Sequence, residues 1–254
     1  MGDHPSMRFV LLHGLLCSAR TLDRVAGPLR AAGHEVLVPD LPGHGTDAAN
    51  PGAESIEEMA GYVRDVAAGP AVLVGHSMGG LVAVAVAEQD PAFATHVVAI
   101  NAPATFASRL TARGGPERLL TVAGLGPLLW RVLPQRVRRD GLRTAFAPGT
   151  EVPDVFLAAA GAARWRTFRD ATLAIDHYVH DEPLPERVAA LDVPVTIVFG
   201  EQDGRVDPAT VARYEALEDG PTVVRIPQSG HSPVWETPER VVEVLLALEA
   251  APER

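Results

Sequence analysis

Short apolar runs alternate with segments of helical periodicity along the first hundred residues. Runs typical of buried strands lie at residues 8–12, 35–38, 71–75 and 97–100. Between the first two, Leu22, Val25 and Leu29 recur at the spacing of one helix face. Strands that alternate with helices form parallel βαβ units. The pattern therefore predicts an α/β fold: a doubly wound, mostly parallel sheet with helices on both faces.

The alternation stops between residues 103 and 187, a stretch called the insertion below. Its large apolar residues lie in helical segments and include Leu119, Leu120, Leu129, Phe146, Phe156 and Phe168. Strand patterns return at residues 193–200 and 222–226, and a last helix is expected near 238–248. We expect one domain over residues 1–254, in which the insertion forms a helical cap over the sheet edge.

Composition narrows the possible partners. The chain has 254 residues and a formal net charge of −10, so a nucleic-acid partner is not expected. No apolar run is long enough to span a membrane, and no secretory signal is visible. The single cysteine, Cys17, excludes an internal disulfide and fits a cytoplasmic protein, although a secreted protein without disulfides is an alternative. We expect a monomer or homodimer acting on a small molecule.

The strand at 71–75 runs into the pattern G-x-S-x-G, with Ser77 between Gly75 and Gly79. A helix rich in small residues follows from about Met78. This arrangement predicts a tight strand-to-helix turn in which glycines avoid collisions and the serine is strained and exposed as a nucleophile. The alternative is a glycine-rich turn whose serine only caps the helix.

A serine hydroxyl needs a base within hydrogen-bond reach, and the base needs an orienting acid. Later strand ends supply Asp203 and Asp207 as candidate acids and His231 as a candidate base. The chain order Ser, Asp, His is the one expected of a nucleophile-elbow hydrolase. Asp207 precedes Pro208 and is better interpreted as a helix cap, which favours Asp203.

With these motifs and the Asp40-Leu41-Pro42-Gly43-His44-Gly45 loop, the sequence resembles the α/β-hydrolase fold superfamily over essentially its whole length. The resemblance implies Ser77 as nucleophile, Asp203 as acid and His231 as base. It also implies an oxyanion hole made by the backbone N–H groups of Leu15 and Met78. Some members carry the acid after the strand that follows the nucleophile; here that position is Asn101, which again favours Asp203.

Other polar residues receive structural interpretations. We expect His13, His44 and His76 to support loops and turns, and Cys17 to pack rather than react. His177 and His180 have the spacing of half a metal site, but nothing completes it, so no metal or cofactor is expected. A cluster of arginines is interpreted as a solvated helix face, with an anionic-substrate site as the alternative: Arg136, Arg138, Arg139 and Arg143.

The elbow serine disfavours haloalkane dehalogenases and epoxide hydrolases, which are similar but use aspartate there. The early first strand resembles the plant methylesterase and hydroxynitrile lyase group, yet those lyases depend on a lysine where this chain has Ser232. We expect hydrolysis of a carboxylic ester, lactone or thioester of a small to medium apolar substrate through an acyl-Ser77 intermediate. Residues expected to line the pocket are Leu15, Leu128, Trp130, Trp165 and Trp235.

Two alternatives stay open. The same triad could serve another reaction, such as C–C bond hydrolysis, perhydrolysis or a lyase-type step in natural-product metabolism. The chain could also be a non-catalytic ligand binder that keeps the pocket.

Overall fold

The computed structural model describes residues 6–49, 51–111 and 115–248 of the chain. Its six strands form one sheet in the order β2-β1-β3-β4-β5-β6, and every neighbouring pair is parallel. The doubly wound parallel sheet predicted from the sequence is thereby confirmed. The strands are β1 (Arg8–Leu12), β2 (Glu35–Leu37), β3 (Ala71–His76), β4 (Ala94–Ile100), β5 (Val195–Gly200) and β6 (Thr222–Ile226).

Helices occupy the connections between these strands and also follow the last strand. Those before β4 are α1 (Asp23–Ala31), α2 (Ile56–Ala67) and α3 (Met78–Gln89). Those between β4 and β5 are α4 (Gly115–Thr121), α5 (Leu125–Val132), α6 (Gln135–Arg143), α7 (Asp154–Ala162), α8 (Trp165–Asp181) and α9 (Leu184–Ala189). The remaining ones are α10 (Val211–Glu215), α11 (Pro233–Glu236) and α12 (Pro238–Ala247). None of the described helices is long and apolar enough to cross a bilayer.

Both faces of the sheet are covered, which explains why β1, β3 and β5 are mostly apolar and buried. In β1, Phe9 and Leu11 pack on one face in a cluster with α1 and α12. Val10 and Leu12 point to the opposite face and pack with α2 and α3. All four side chains are at most 1% exposed. Alternation of side chains along a strand therefore builds two cores from one apolar run.

The observed ends of some strands differ from those predicted by the hydrophobic pattern. They differ where backbone pairing with a neighbouring strand decides where a strand begins or ends. β4 begins at Ala94, three residues before the predicted start, because Ala94 pairs with Ala71 of β3. Within that extension His96 bonds to Thr196 Oγ1 of β5 at 2.9 Å, so a polar side chain is accepted in the sheet. β2 ends at Leu37, one residue earlier than predicted.

The chain reverses its direction of winding between β1 and β3, because β2 lies on one side of β1 and β3 on the other. In open α/β sheets, such a switch point leaves a crevice at the carboxyl ends of the strands. Gly14 follows β1 at this crevice and Ser77 follows β3. The topology thus brings the loop after β1 and the predicted elbow together.

Helices α4 to α8 and most of α9 belong to the insertion, whose start is bonded to the loop after β5 and whose two ends are bonded to each other. Near its start, Leu110 N–H donates to Arg205 O at 2.8 Å, and Asp207 N–H donates to Ser108 O at 2.9 Å. Near its end, Leu184 N–H donates to Ala104 O at 2.8 Å. The first residues of the insertion therefore lie beside the loop that carries Asp203.

Candidate active site

Ser77 occupies the turn between β3 and α3 with φ 54° and ψ −119°, a backbone conformation that L-residues rarely adopt. A Cβ placed on Gly75 would overlap the backbone of Gly79, and one on Gly79 would overlap the carbonyl of Leu12. The glycines are thus required by the closeness of the two backbone segments. The strained turn predicted from the sequence is present at Ser77.

Three predicted residues meet at the crevice. Ser77 Oγ lies 2.9 Å from His231 Nε2, and His231 Nδ1 lies 2.8 Å from Asp203 Oδ2. Asp203 and His231 are 5% and 4% exposed. With Nδ1–H donating to the carboxylate, Nε2 of His231 is left as the acceptor for the serine hydroxyl. The contacts form a continuous path from acid to nucleophile.

Every acceptor position of the Asp203 carboxylate is in use. Oδ1 accepts from the backbone N–H groups of Arg205 at 2.7 Å and Val206 at 3.0 Å. Oδ2 accepts from His231 and from Asn101 Nδ2, the latter at 2.6 Å. Burial opposes ionisation of Asp203, but the charge of His231 and these hydrogen bonds outweigh it and hold the pKa of the carboxyl below its usual value.

The sequence did not single out Asn101 as a supporting residue. Asn101 follows β4 with φ 48°, and its Oδ1 accepts from Gly200 N–H at 3.1 Å while its Nδ2 binds Asp203. The available signal was its place at a strand end next to β5. The rival acid, Asp207, instead accepts from Ala209 N–H at 3.0 Å, the helix cap that the sequence predicts.

The loop that carries His231 is held from two sides. His76 Nε2–H donates to His231 O at 2.7 Å, and burial lowers the pKa of His76 to about 3, so this imidazole is neutral. The Glu236 carboxylate accepts from the N–H groups of Gly230 at 3.0 Å and Ser232 at 3.2 Å. These contacts fix the backbone on either side of His231, and the supporting role expected for His76 is confirmed.

The loop after β1 runs beside the nucleophile. Cys17 N–H donates to Gly14 O at 3.1 Å, which closes a tight turn around Leu15. His13 holds this turn as expected: Nδ1–H donates to Gly14 O at 2.9 Å, and Nε2 accepts from Leu41 N–H at 3.0 Å. A Cβ on Gly14 would lie 3.2 Å from the Cβ of Ser77, so the two loops are in close contact.

The N–H groups of Leu15 and Met78 lie on the two loops that meet at Ser77. Met78 is the first residue of α3, so its N–H has no partner within the helix. No hydrogen bond from either N–H is found among residues 6–49, 51–111 and 115–248. The two N–H groups predicted as an oxyanion hole are therefore available to a ligand.

A sequence profile described as the alpha/beta hydrolase family matches residues 9–244. The chain belongs to the alpha/beta hydrolase family. This alpha/beta hydrolase is 26% identical over 254 residues to a pyrethroid hydrolase of Sphingobium wenxiniae, covering 96% of this chain and 88% of that protein. It is 26% identical over 260 residues to a pimeloyl-[acyl-carrier protein] methyl ester esterase of Pectobacterium carotovorum, covering 95% and 94%.

A solved structure, an esterase from Exiguobacterium antarcticum, matches this alpha/beta hydrolase with a TM-score of 0.77 at 17% identity. The match covers 97% of this chain and 92% of that one. At this identity the likeness shows the fold alone. The named relatives support ester hydrolysis as the general class of reaction.

Above Ser77 and His231, this alpha/beta hydrolase has a cavity of about 430 Å³. Leu15 and Cys17 line it from the loop after β1. The insertion contributes mainly apolar side chains: Leu120, Trp130, Leu133, Phe156, Phe168 and Ile175. A largely apolar wall that also holds a limited number of polar groups is typical of small-molecule sites.

Of the five residues expected to line the pocket, Leu15 and Trp130 lie on the cavity wall and three do not. Leu128 is 65% exposed. It lies two positions before Trp130 in α5, so the two side chains point to opposite sides of the helix, and Trp130 is the one that faces the cavity. Trp165 is used inside the insertion, where its Nε1–H donates to Leu120 O at 2.8 Å. Trp235 packs on Phe156 and beneath the Arg24 guanidinium, away from the cavity wall.

The remaining candidates take these positions. Cys17 packs in a cluster with Phe146 and Phe156, and burial raises the pKa of its thiol to about 11. Arg138 departs from the expected solvated face: its guanidinium stacks 4.7 Å above the Trp130 ring, and it lines the cavity. Within the described ranges, no group of three or more His, Cys, Asp and Glu residues is placed to hold a metal ion.

Proposed function

We propose that this protein hydrolyses carboxylic esters, including lactones and thioesters, of small to medium apolar substrates through an acyl-Ser77 intermediate. The observation that carries the proposal is the path of hydrogen bonds from Asp203 through His231 to Ser77 Oγ, which ends in the cavity. The esterase names of the relatives support the same class of bond.

In the acylation step, Ser77 Oγ attacks the ester carbonyl carbon while its proton passes to His231 Nε2. Asp203 keeps the proton on Nδ1 and stabilises the imidazolium that forms. The carbonyl oxygen becomes an oxyanion and accepts from the N–H groups of Leu15 and Met78, each of which lowers the barrier by about 3 kcal/mol. His231 then protonates the leaving alcohol, and the acyl group remains on Ser77.

In the deacylation step, His231 Nε2 takes a proton from a water molecule, whose oxygen attacks the acyl carbonyl carbon. The second oxyanion uses the same two N–H groups. Collapse of this intermediate returns the proton from His231 to Ser77 Oγ and releases the carboxylic acid. Atoms balance over the cycle: one ester and one water give one acid and one alcohol.

We also propose that the insertion acts as the cap of a single domain. As a cap it would supply an apolar roof, and its Trp130, Phe168 and Ile175 side chains support this role because they line the same cavity as Ser77. An apolar roof favours apolar substrates, since burying their surface contributes roughly 25 cal/mol per Å². It also limits the access of water to the oxyanion.

The test is labelling of the protein with a fluorophosphonate, followed by turnover of 4-nitrophenyl esters of increasing acyl length. We expect labelling and burst kinetics for the wild type, and neither for Ser77→Ala. Ser232→Ala is the matched control, because Ser232 also lines the cavity and its Oγ has no hydrogen-bond partner among the described residues. Absence of labelling in the wild type, or esterase activity retained in Ser77→Ala, would refute the mechanism. Labelling without turnover of any ester would indicate another reaction on the same serine.

A further inference from the structure

The cavity wall contains a guanidinium that the proposed mechanism does not use. Arg205 lies two residues after Asp203, and its side chain lines the same cavity as Ser77 and His231. Its Nε donates to Thr144 Oγ1 at 3.1 Å, and its Nη2 donates to Gly141 O at 2.9 Å. Both acceptors are uncharged. Burial lowers the pKa of Arg205, yet a guanidinium stays charged at neutral pH.

The carboxylates near Arg205 are already engaged. Both oxygens of Asp203 are occupied by the four contacts described above. Glu117 forms its ion pair with Arg109, at 2.7 Å, and Asp176 also pairs with Arg109. No carboxylate of the described residues lies within ion-pair distance of the Arg205 guanidinium. Glu117 and Asp203 act on the charge of Arg205 through space, but neither carboxylate pairs directly with its guanidinium.

Charge along the whole wall has the same imbalance. Among the described residues, the cavity is lined by three arginines, Arg109, Arg138 and Arg205, and by one carboxylate, that of Glu117. The chain as a whole has a net charge of −10, so this excess of positive charge is local. A partly buried guanidinium without a directly paired carboxylate is unfavourable, and a bound anion would relieve that cost.

The geometry of the guanidinium suits a carboxylate. An arginine has five N–H groups, and two of those of Arg205 are used by Thr144 and Gly141. Three remain on the two terminal nitrogens. Two parallel N–H groups match the two oxygens of a carboxylate, which makes such pairs both strong and directional.

We propose that Arg205 forms an anion subsite in the cavity and that the preferred substrates are esters carrying a carboxylate remote from the scissile bond. This inference rests on the proposed function, because it assigns a substrate class to the same cavity. The apolar middle of such a substrate packs against Trp130 and Phe168, and its carboxylate pairs with Arg205. Arg109, neutralised by its two carboxylate partners, does not compete for the anion.

The experiment compares substrates that differ in one charge. On the acyl side, the pair is 4-nitrophenyl hydrogen adipate and its methyl-capped diester. On the alcohol side, the pair is the hexanoate ester of 4-hydroxybenzoate and that of methyl 4-hydroxybenzoate. We expect wild-type kcat/KM to favour the acid over the capped form about 10- to 100-fold in one of the two pairs, as for a charge-assisted contact.

Three variants test whether Arg205 is the cause. Arg205→Gln removes the charge and should abolish the preference, mainly through a higher KM for the acid. Arg205→Lys keeps the positive charge but lacks the two parallel N–H groups of a guanidinium, so its preference for the acid should be intermediate. Arg30→Gln is the matched control, because Arg30 also donates to a backbone carbonyl, that of Val36 at 3.0 Å, but lies at the surface away from the cavity.

Two results would overturn the inference. One is equal wild-type turnover of acid and capped forms in both pairs. The other is an equal loss for both forms in Arg205→Gln, which would mean that Arg205 only joins the insertion to the loop after β5. Either result leaves labelling of Ser77 intact, so the proposed function would survive.

If labelling fails, calorimetry still decides the question. Monomethyl adipate should bind to the wild type at least tenfold more tightly than to Arg205→Gln. No binding to the wild type would reject the subsite.

Discussion

Replacing Asp203 by asparagine exchanges one carboxylate oxygen for an amide NH2, and the neighbouring groups decide where that NH2 must lie. Oδ1 accepts from the N–H groups of Arg205 and Val206, so the amide oxygen has to stay there. The NH2 then takes the place of Oδ2 and faces His231 Nδ1. His231 must accept at Nδ1 and carry its proton on Nε2, where it cannot take the proton of Ser77.

The magnitude follows from this reversed tautomer. Loss of the charge together with the wrong tautomer is expected to lower kcat by about 10⁴-fold, or about 5 kcal/mol of barrier. The new NH2 also faces the NH2 of Asn101, which cannot turn because its Oδ1 accepts from Gly200 N–H. Two opposed buried donors cost about 1–3 kcal/mol of folding free energy.

The assay combines steady-state ester hydrolysis, the rate of fluorophosphonate labelling and urea unfolding of Asp203→Asn. Asp207→Asn is the control, because an asparagine oxygen can also accept from Ala209 N–H and keep the helix cap. We expect that control to remain within about twofold of the wild type, well inside the range of a surface substitution. Activity of Asp203→Asn within tenfold of the wild type, with Asp207→Asn strongly impaired, would refute the assignment of the acid.

A double variant separates stability from chemistry. In Asn101→Asp combined with Asp203→Asn, the new amide NH2 at position 203 can donate to the new carboxylate at position 101. The hydrogen bond between these two side chains is thereby restored in the opposite direction. We therefore expect it to regain part of the lost unfolding free energy without regaining activity, because the NH2 still faces His231. Recovery of activity would instead mean that a carboxylate at position 101 reaches the imidazole.

Two further predictions concern the turn and the buried histidines. Gly79→Ala should abolish activity and lower Tm by several degrees in thermal melting, because the new Cβ overlaps the Leu12 carbonyl. Gly61→Ala is the control and should keep or raise Tm, because the space around Gly61 in α2 is open. Equal effects of the two substitutions would contradict the steric argument. Burial lowers the pKa of His13 and of His76 to about 3, below the unfolded value of 6.5, so the unfolded chain binds more protons between these pH values. Unfolding free energy from urea titrations should then fall as pH drops below about 6.5, by up to about 1.4 kcal/mol per pH unit for each histidine, and a flat profile down to pH 4.5 would reject this account.

The strands were predictable where burial on both sides of the sheet leaves an uninterrupted apolar run. β1 has the bounds that the pattern predicts, and so does the edge strand β6, in which only Ile226 is buried. The start of β4 was not predictable in this way, because it depends on pairing with β3 across a register shift. The hydrophobic pattern indicates which residues are buried, but it does not indicate which strand pairs with which.

In the candidate site, too, some features could be predicted from the sequence and others depend on the tertiary structure. The order of Ser77, Asp203 and His231 along strand ends is a property of the chain and could be predicted. The contact of Asn101 with Asp203 depends on β4 lying next to β5, which the sequence does not state. Likewise, the inward position of Trp130 and the outward one of Leu128 depend on how α5 is rotated above the sheet.

The cavity arginines were the hardest to predict. Arg205 lies in a loop after Asp203, where an arginine usually faces solvent. It turns towards the cavity because the end of α6 brings Gly141 O and Thr144 Oγ1 within reach. Only the packing of the insertion on that loop reveals the contact.

The backbone hydrogen bonds near the two ends of the insertion have a practical consequence for chimeric enzymes. Residues 108–110 are bonded to residues 205–207, next to Asp203, and Leu184 is bonded to Ala104. A graft that replaced all of residues 103–187 would remove one partner of the contacts next to the acid and both partners of the bond between Leu184 and Ala104. Crossovers placed after Leu110 and before Leu184 keep them within the parent scaffold. The exchangeable module for transplanting specificity is therefore shorter than the helical segment, running from residue 111 to residue 183.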